Sequence, residues 1–409
     1  MRPKKKGTDE ALVCLVLSLL GLAVCAYLSF LHLSLLLGEL YGGGICGGSL
    51  GSIFNCHAVA LSPWGSFLGF PLPMWGILGY LATAALSLIA WQFPRWASRA
   101  LTVLWAAALL FVAVDAFLLA VMVTQVRYLC ALCLLSYLVN FLLLLLSQRA
   151  LGRPGGETLA EIPRALAAFL PRRAAPVWIF WGIVVTGGLG TMAVSASTRF
   201  MTEQIVSSLR REMVSVIARQ PRMEVDTQQD PARGPSSAEI QVVEFSDFFC
   251  PTCRRASAFD TILEARYRGK ISFTFKNFPL DRECNSWILR TVHPGACRVA
   301  MAAECAHEQG KFWEFHDLLF REGTSGRMAD LEALAVRAGL NLETFRSAMA
   351  SGRAAEAVRR DVEEGTRLKV VGTPSYLING VLVQGILPPA LFDEFLKALR
   401  RSQKTKSGA

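Results

Sequence analysis

The sequence predicts an α-helical membrane bundle, a four-helix core plus a fifth linking span, joined to a C-terminal α/β domain. Three observations carry this prediction. Hydrophobic residues make up 53% of the 409 residues and crowd into the chain up to about Val194. Five apolar runs there approach or exceed the ~20 residues needed to cross a bilayer core. The remainder alternates strand and helix patterns at ordinary charge density and is long enough to bury a core of its own. A net charge of +10 could signal nucleic acid, but no stripe of basic and aromatic residues accompanies it. Cationic loops that orient membrane helices account for the charge, with the lipid bilayer as the partner.

The five runs are residues 11–37, 72–91, 101–123, 128–146 and 177–194. The first is far longer than the 7–15-residue apolar core of a cleaved signal peptide. The last is short and carries Gly182, Gly187, Gly188 and Gly190. Basic residues set the orientation. Arg2, Lys4, Lys5 and Lys6 precede the first run, Arg95 and Arg99 separate the second and third, and Arg149, Arg153, Arg164, Arg172 and Arg173 separate the fourth and fifth. The opposite loops offer Arg127. The N-terminus is therefore expected in the cytoplasm, and everything after Val194 outside.

That topology puts six cysteines on one face. Cys46 and Cys56 lie in a glycine-rich loop between the first two spans. Cys130 and Cys133 open the fourth span at its outer end, and Cys250 and Cys253 belong to the external domain. Disulfides persist on that side of a membrane, and nothing in cysteine spacing forces the agreement. If all six face outward, the chain is a wire for thiol–disulfide exchange.

In the soluble half, an apolar strand at residues 240–245 leads through Ser246-Asp247-Phe248-Phe249 into Cys250-Pro251-Thr252-Cys253 and a helix to about Arg268. A strand follows at 271–276. Helical patterns fill 300–369, with breaks near Gly323 and Gly339. Gly372-Thr373-Pro374 leads into strands 375–378 and 381–384, turned by Asn379-Gly380, and a helix closes the domain at 391–400. Cys250 at a helix N-terminus, with Pro251 in the first turn, has unpaired amides and the helix dipole to stabilise its thiolate. Cys253 lies one turn on, within reach to resolve a mixed disulfide. No second Cys-x-x-Cys or paired histidine follows outside the membrane, which argues against a metal site.

This order resembles a thioredoxin fold with a helical insertion, of the DsbA-like type, over residues 238–401. The resemblance implies that Glu244, six before Cys250, is a buried acid relaying protons to the buried cysteine. It also implies that Thr373-Pro374 is a cis-proline loop facing the active disulfide. The membrane half resembles the vitamin K epoxide reductase family over residues 11–148. The positions that carry this are Cys46 and Cys56, Ser62 six beyond Cys56, Cys130 and Cys133, and Tyr137 four beyond Cys133. Bacterial members of that family are often fused to a thioredoxin-like domain. No asparagine of the second span can be matched to the one that contacts quinone in animal members.

The resemblances imply a bacterial inner-membrane enzyme that makes disulfides in exported proteins bearing free thiols. Electrons would pass from Cys250/Cys253 to Cys46/Cys56, then to Cys130/Cys133, and so to the membrane quinone pool, ubiquinone or menaquinone. Ser62 and Tyr137 would contact the quinone. The glycines around Cys46 suit a sulfur that must meet two partners in turn. A membrane-anchored isomerase or reductase, whose soluble domain stays reduced, is the alternative reading.

Other features read more plainly. Cys14 and Cys25 are about 16 Å apart along one helix and cannot bridge, and Cys297 and Cys305 are ~12 Å apart. Cys284 and Cys297 could staple a loop containing His293-Pro294-Gly295, or remain thiols. Asp115, inside the third span, is a functional candidate because intramembrane acids are costly, or it simply bonds a hydroxyl or amide of the bundle. The expected divisions are 1–148 for the membrane domain, 149–197 for a cytoplasmic loop and the fifth span, 198–237 for an external linker and 238–409 for the thioredoxin-like domain. Helical spacing marks 198–218, while 221–238 reads as a flexible polar tether with a reach of about 23 Å.

Overall fold

The structure is a computed structural model that describes residues 8–36, 53–170, 174–324 and 326–407. Cys46 lies outside the described residues. Two compact units divide the chain, one running to about Gln204 and the other from Ile205 onward.

In the first unit, α1 (Thr8–Leu36), the short α2 (Cys56–Leu61) and a two-residue hairpin of β1 (Ser66–Phe67) and β2 (Phe70–Pro71) precede α3 (Leu72–Gln92). Then come α4 (Ala97–Val121), α5 (Ala131–Leu151), α6 (Gly155–Ala168) and α7 (Ala175–Arg219). Among the described residues, five helices are long and apolar enough to cross a membrane, matching the five runs read from sequence. With no water in hydrocarbon, such helices satisfy every backbone group within the segment. Their shared core is built from Leu86, Ile89, Leu101, Leu104, Val139 and Leu143, and it also holds Cys14, Cys25 and Tyr80. A side chain at Gly21 would collide with the Tyr80 ring, and one at Gly187 with Leu81 of α3. At Gly21 the missing side chain leaves the room that the Tyr80 ring fills.

Two features were not anticipated. The stretch read as a cytoplasmic loop contains α6, where Arg153 Nη2 donates to Thr102 Oγ1 at 2.6 Å just before the helix begins. The short fifth span and the helical spacing that follows it merge into one 45-residue helix, α7.

In the second unit, β3 (Ala232–Arg233), β4 (Ile240–Ser246) and α8 (Pro251–Arg266) lead to β5 (Ile271–Asn277). Five helices follow: α9 (Ala296–Glu308), α10 (Phe312–Glu322), α11 (Met328–Arg337), α12 (Leu342–Ala350) and α13 (Arg353–Arg367). The chain ends in β6 (Ser375–Ile378), β7 (Val381–Gln384) and α14 (Pro389–Ser407). The sheet order is β3-β5-β4-β6-β7, with β4 and β5 parallel and every other pair antiparallel. The β6–β7 turn has positive φ at both Asn379 and Gly380, the geometry that Asn-Gly favours.

The tether expectation needs correction. Residues 221–238 are fastened to the α/β unit instead of hanging free. Met223 N donates to the Gly380 carbonyl (2.9 Å), Phe275 N donates to the Pro231 carbonyl (3.0 Å), and β3 pairs with β5. Asp230 reaches the buried Lys276 ammonium at 2.6 Å, which Glu364 (2.9 Å) and Asp361 (3.1 Å) also hold. An open edge of β5 offers backbone groups that need partners. A polar segment can supply them without an apolar pattern that sequence would reveal.

Candidate active site

In the α/β unit, Cys250 is the N-cap of α8 and Pro251 follows in the first turn. The Thr373–Pro374 peptide is cis, and Cys250 Sγ donates to the Thr373 carbonyl at 3.4 Å. The sequence-predicted Cys250, Thr373 and Pro374 therefore meet. The hydrogen bond from the Cys253 thiol, then the amides of Cys253 and Thr252 together with the Thr373 side chain, pull the Cys250 pKa down to about 5 against its burial. Cys253 is fully buried, and burial pushes its thiol well up. One sulfur is thus a ready thiolate and the other holds its proton, the asymmetry that a nucleophile and a resolving thiol require.

Glu244 lies buried on β4, close enough for its charge to raise Cys253, and burial raises Glu244 in turn. Two residues given no role by sequence reasoning frame the loop before Cys250. Asp247 is fully buried and accepts from Phe249 N and Leu280 N, both at 2.8 Å. His293 Nδ1 lies 2.8 Å from Asp247 Oδ2, and that hydrogen bond raises the His293 pKa. The thiolate of Cys250 adds to this rise, so the imidazolium and the thiolate favour each other. Cys284 and Cys297 form a disulfide with Cα atoms 5.8 Å apart, which closes the loop that carries His293. That settles the alternative left open by spacing. Cys305 is a buried thiol in the helical core.

In the membrane unit, Cys130 is the N-cap of α5 and is joined to Cys133 by a disulfide, Cα atoms 5.1 Å apart. A five-residue π-helical turn (Met122–Val126) and a left-handed Arg127 deliver the chain to it. Cys56 begins α2, capped by the Asn55 side chain, and it is disulfide-bonded. A short stretch of paired backbone connects these sites. Leu129 N donates to the Ile53 carbonyl (2.7 Å) and Asn55 N to the Leu129 carbonyl (2.8 Å). The residues just before Cys56 and just before Cys130 are thereby laid side by side. Cys56 and Cys130 are buried in one apolar cluster with Val24, Leu28, Leu31 and Met122, against which Cys133, Leu134 and Tyr137 pack.

Ser62 is buried at the end of α2 and gives its hydroxyl to the Val59 carbonyl of its own helix at 2.8 Å. Asp115 accepts from Asn140 Nδ2 (2.8 Å), and Asn140 Oδ1 accepts from the Tyr80 hydroxyl (2.7 Å). The plain expectation for Asp115, an amide partner in the bundle, is the observed one. Among the described residues, no group of three His, Cys, Asp or Glu is placed to hold a metal ion.

Cysteine pairs thus stand at helix starts both in the bundle of long apolar helices and in the α/β unit, an arrangement suited to thiol–disulfide exchange. Residues 12–148 match the vitamin K epoxide reductase family and residues 226–398 match a thioredoxin family. The two matches divide the chain into a segment similar to the vitamin K epoxide reductase family and a segment similar to thioredoxins.

Among solved structures, a thioredoxin-like oxidoreductase from Silicibacter pomeroyi is 23% identical, with a TM-score of 0.37, covering 42% of this chain and 94% of that one. Oxidised BdbD from Bacillus subtilis is 22% identical, TM-score 0.36, covering 45% and 97%. Among curated relatives, the Na(+)/H(+) antiporter NhaA 3 of Salinispora tropica is 38% identical over 156 residues, 38% of this chain and 22% of that protein. NhaA 1 of Mycolicibacterium vanbaalenii is 31% identical over 179 residues, 43% and 28%. The chain spans only about a quarter of the length of these relatives.

Proposed function

We propose that the chain is a quinone-dependent thiol oxidase of the bacterial inner membrane that forms disulfides in exported proteins. The N-terminus is cytoplasmic and the thioredoxin-like domain lies on the outer side. Substrate thiols reduce the Cys250–Cys253 disulfide, Cys250 being the attacked sulfur. The resulting dithiol reduces Cys46–Cys56, Cys56 passes the electrons to Cys130, and Cys133 is the terminal thiol. The observation that carries this reading is the burial of Cys56 and Cys130 in one apolar cluster against which the half-buried Cys133 packs, with the backbone pairing of residues 53–55 and 129 beside it.

The lining of that cluster suits a quinone ring, with Leu28, Leu134 and Tyr137 beside the thiols. A bound quinone, ubiquinone or menaquinone, supplies the two-electron acceptor there. The chain's own contribution is to keep Cys133 in an apolar setting next to Tyr137 and to hold Cys130 within bridging distance of it. Stabilisation of the Cys250 thiolate favours the reduced form of the soluble pair and so makes its disulfide the more oxidising, as an oxidase requires.

Replacing Cys133 with Ser tests the order. Quinone-coupled turnover should vanish while exchange between Cys250 and the Cys46–Cys56 pair persists. Retained quinone reduction would assign the terminal step to another cysteine.

A further inference from the structure

Resolution of a mixed disulfide at Cys250 requires Cys253 to give up or take on a proton, yet Cys253 has no exposed surface. Asp260 lies seven residues beyond Cys253 on α8, about two turns, and so on the same face of the helix. Like Glu244 it is almost wholly buried. Glu244 sits directly across from Tyr376 in the β4–β6 register, and the Tyr376 hydroxyl donates to Asp260 Oδ1 at 3.4 Å. The Glu244 and Asp260 carboxyl groups are themselves within hydrogen-bonding reach. Burial disfavours the charged form of both, and two adjacent carboxyls resist ionising together, so the pair retains a proton. Beyond them lies a cavity lined by Asp260 and Tyr376 together with Val242, Leu263, Leu387 and Phe392. It has room for roughly one water, and the acid and the phenol give that water two polar partners.

We propose that Asp260 pairs with Glu244 to carry the Cys253 proton to and from the water-sized cavity beside Tyr376. When a substrate thiolate attacks Cys250, the sulfur–sulfur bond to Cys253 breaks and the Cys253 thiolate takes the proton held by the pair. The pair recovers a proton from the cavity. A second substrate thiolate then displaces Cys250 as a thiolate and forms the substrate disulfide. Two electrons have moved to the cysteines, one substrate proton has gone to Cys253 and the other to solvent. Run backward, the same path removes the proton when the pair is reoxidised, so the relay holds for either direction of electron flow. Other ionisable groups face the pair: Cys253 on α8, His316 on α10, Tyr376 on β6, and Arg233 on β3, which is ion-paired to Glu264 at 3.4 Å. Asp260 acts through Glu244 and is a positioning residue for its proton.

The test uses the full chain in detergent with Cys46→Ser and Cys56→Ser together, so that exchange stops at Cys250–Cys253. The rate at which Cys253 resolves a glutathione mixed disulfide on Cys250 is followed from pH 4 to 9 by acid quench and mass spectrometry. The parent profile should show two ionisations from the carboxyl pair. Asp260→Asn should lose one of them and slow resolution at least about ten-fold at neutral pH. Asp260→Glu, which restores an acid, should recover both. A purely structural role would change the rate alike at every pH. An Asp260→Asn profile that superimposes on the parent overturns the proposal. Infrared difference spectra of the unsubstituted chain need no variant: a buried protonated carboxyl must be present at neutral pH and respond to reduction of the disulfide. No such band overturns the proposal as well.

Discussion

The thiolate at Cys250 owes more to Cys253 than to any other group, since the Cys253 S–H is the leading cause of the depressed pKa. Replacing Cys253 with Ala removes that donor and leaves the amides of the helix start. A hydrogen bond to a charged group is worth ~1.5–3 kcal/mol, and 1.36 kcal/mol corresponds to one pKa unit. The loss should therefore raise Cys250 by about 1–2 units from its value of about 5. Cys253→Ser keeps a donor at the same place and should titrate close to the parent. The assay is the rate of alkylation of Cys250 by iodoacetamide between pH 3 and 8, read on its peptide by mass spectrometry, because only the thiolate reacts. At pH 6 the Ala variant should react about two- to ten-fold more slowly than the Ser variant. The folded pKa lies below the ordinary thiol value. The thiolate's contribution to the reduced fold is therefore complete above that ordinary value and is lost as the pH falls through about 5. Superimposed Ala and Ser curves would refute the reasoning and leave the backbone amides and the Thr373 side chain as the supports of the thiolate.

Three further outcomes are expected. Replacing Asn140 with Ala strips Asp115 of its amide partner inside the bundle and should lower stability in detergent by about 1–3 kcal/mol; an unchanged unfolding midpoint would show that the network contributes nothing. Opening the Cys284–Cys297 disulfide by Ser substitution frees a loop of sequence separation 13 and should cost about 2–3 kcal/mol in denaturant unfolding of the α/β unit, with no cost as the contradicting result. An impermeant maleimide should label reduced Cys250 in intact spheroplasts; labelling only after permeabilisation would reverse the topology.

Much of this was legible because it rests on local chemistry. Apolar runs long enough to cross a bilayer announced the spans, and Asn379-Gly380 announced the β6–β7 turn. The helix starts at Cys130 and Cys250 followed from short-range patterns, a polar or proline signal before an apolar periodicity. What escaped depends on partners distant in sequence. The strap at residues 221–238 is ordered by the free edge of β5, and the pairing of residues 53–55 with 129 joins segments with no shared pattern. Asp260 looks like any polar residue of an amphipathic helix until Glu244 and Tyr376 are folded against it. Asp247 and His293 meet only because β5 and the disulfide-closed loop return the chain to the start of α8.

The central claim is that electrons leave the soluble cysteine pair for a membrane quinone. It is tested most directly by trapping the redox state of Cys250 in growing cells, with quinone synthesis intact and with it blocked. Cys250 should be largely oxidised and should collapse to the reduced thiol when quinone is depleted. A Cys250 that is reduced in both conditions would contradict it and mark the chain as a reductase or isomerase.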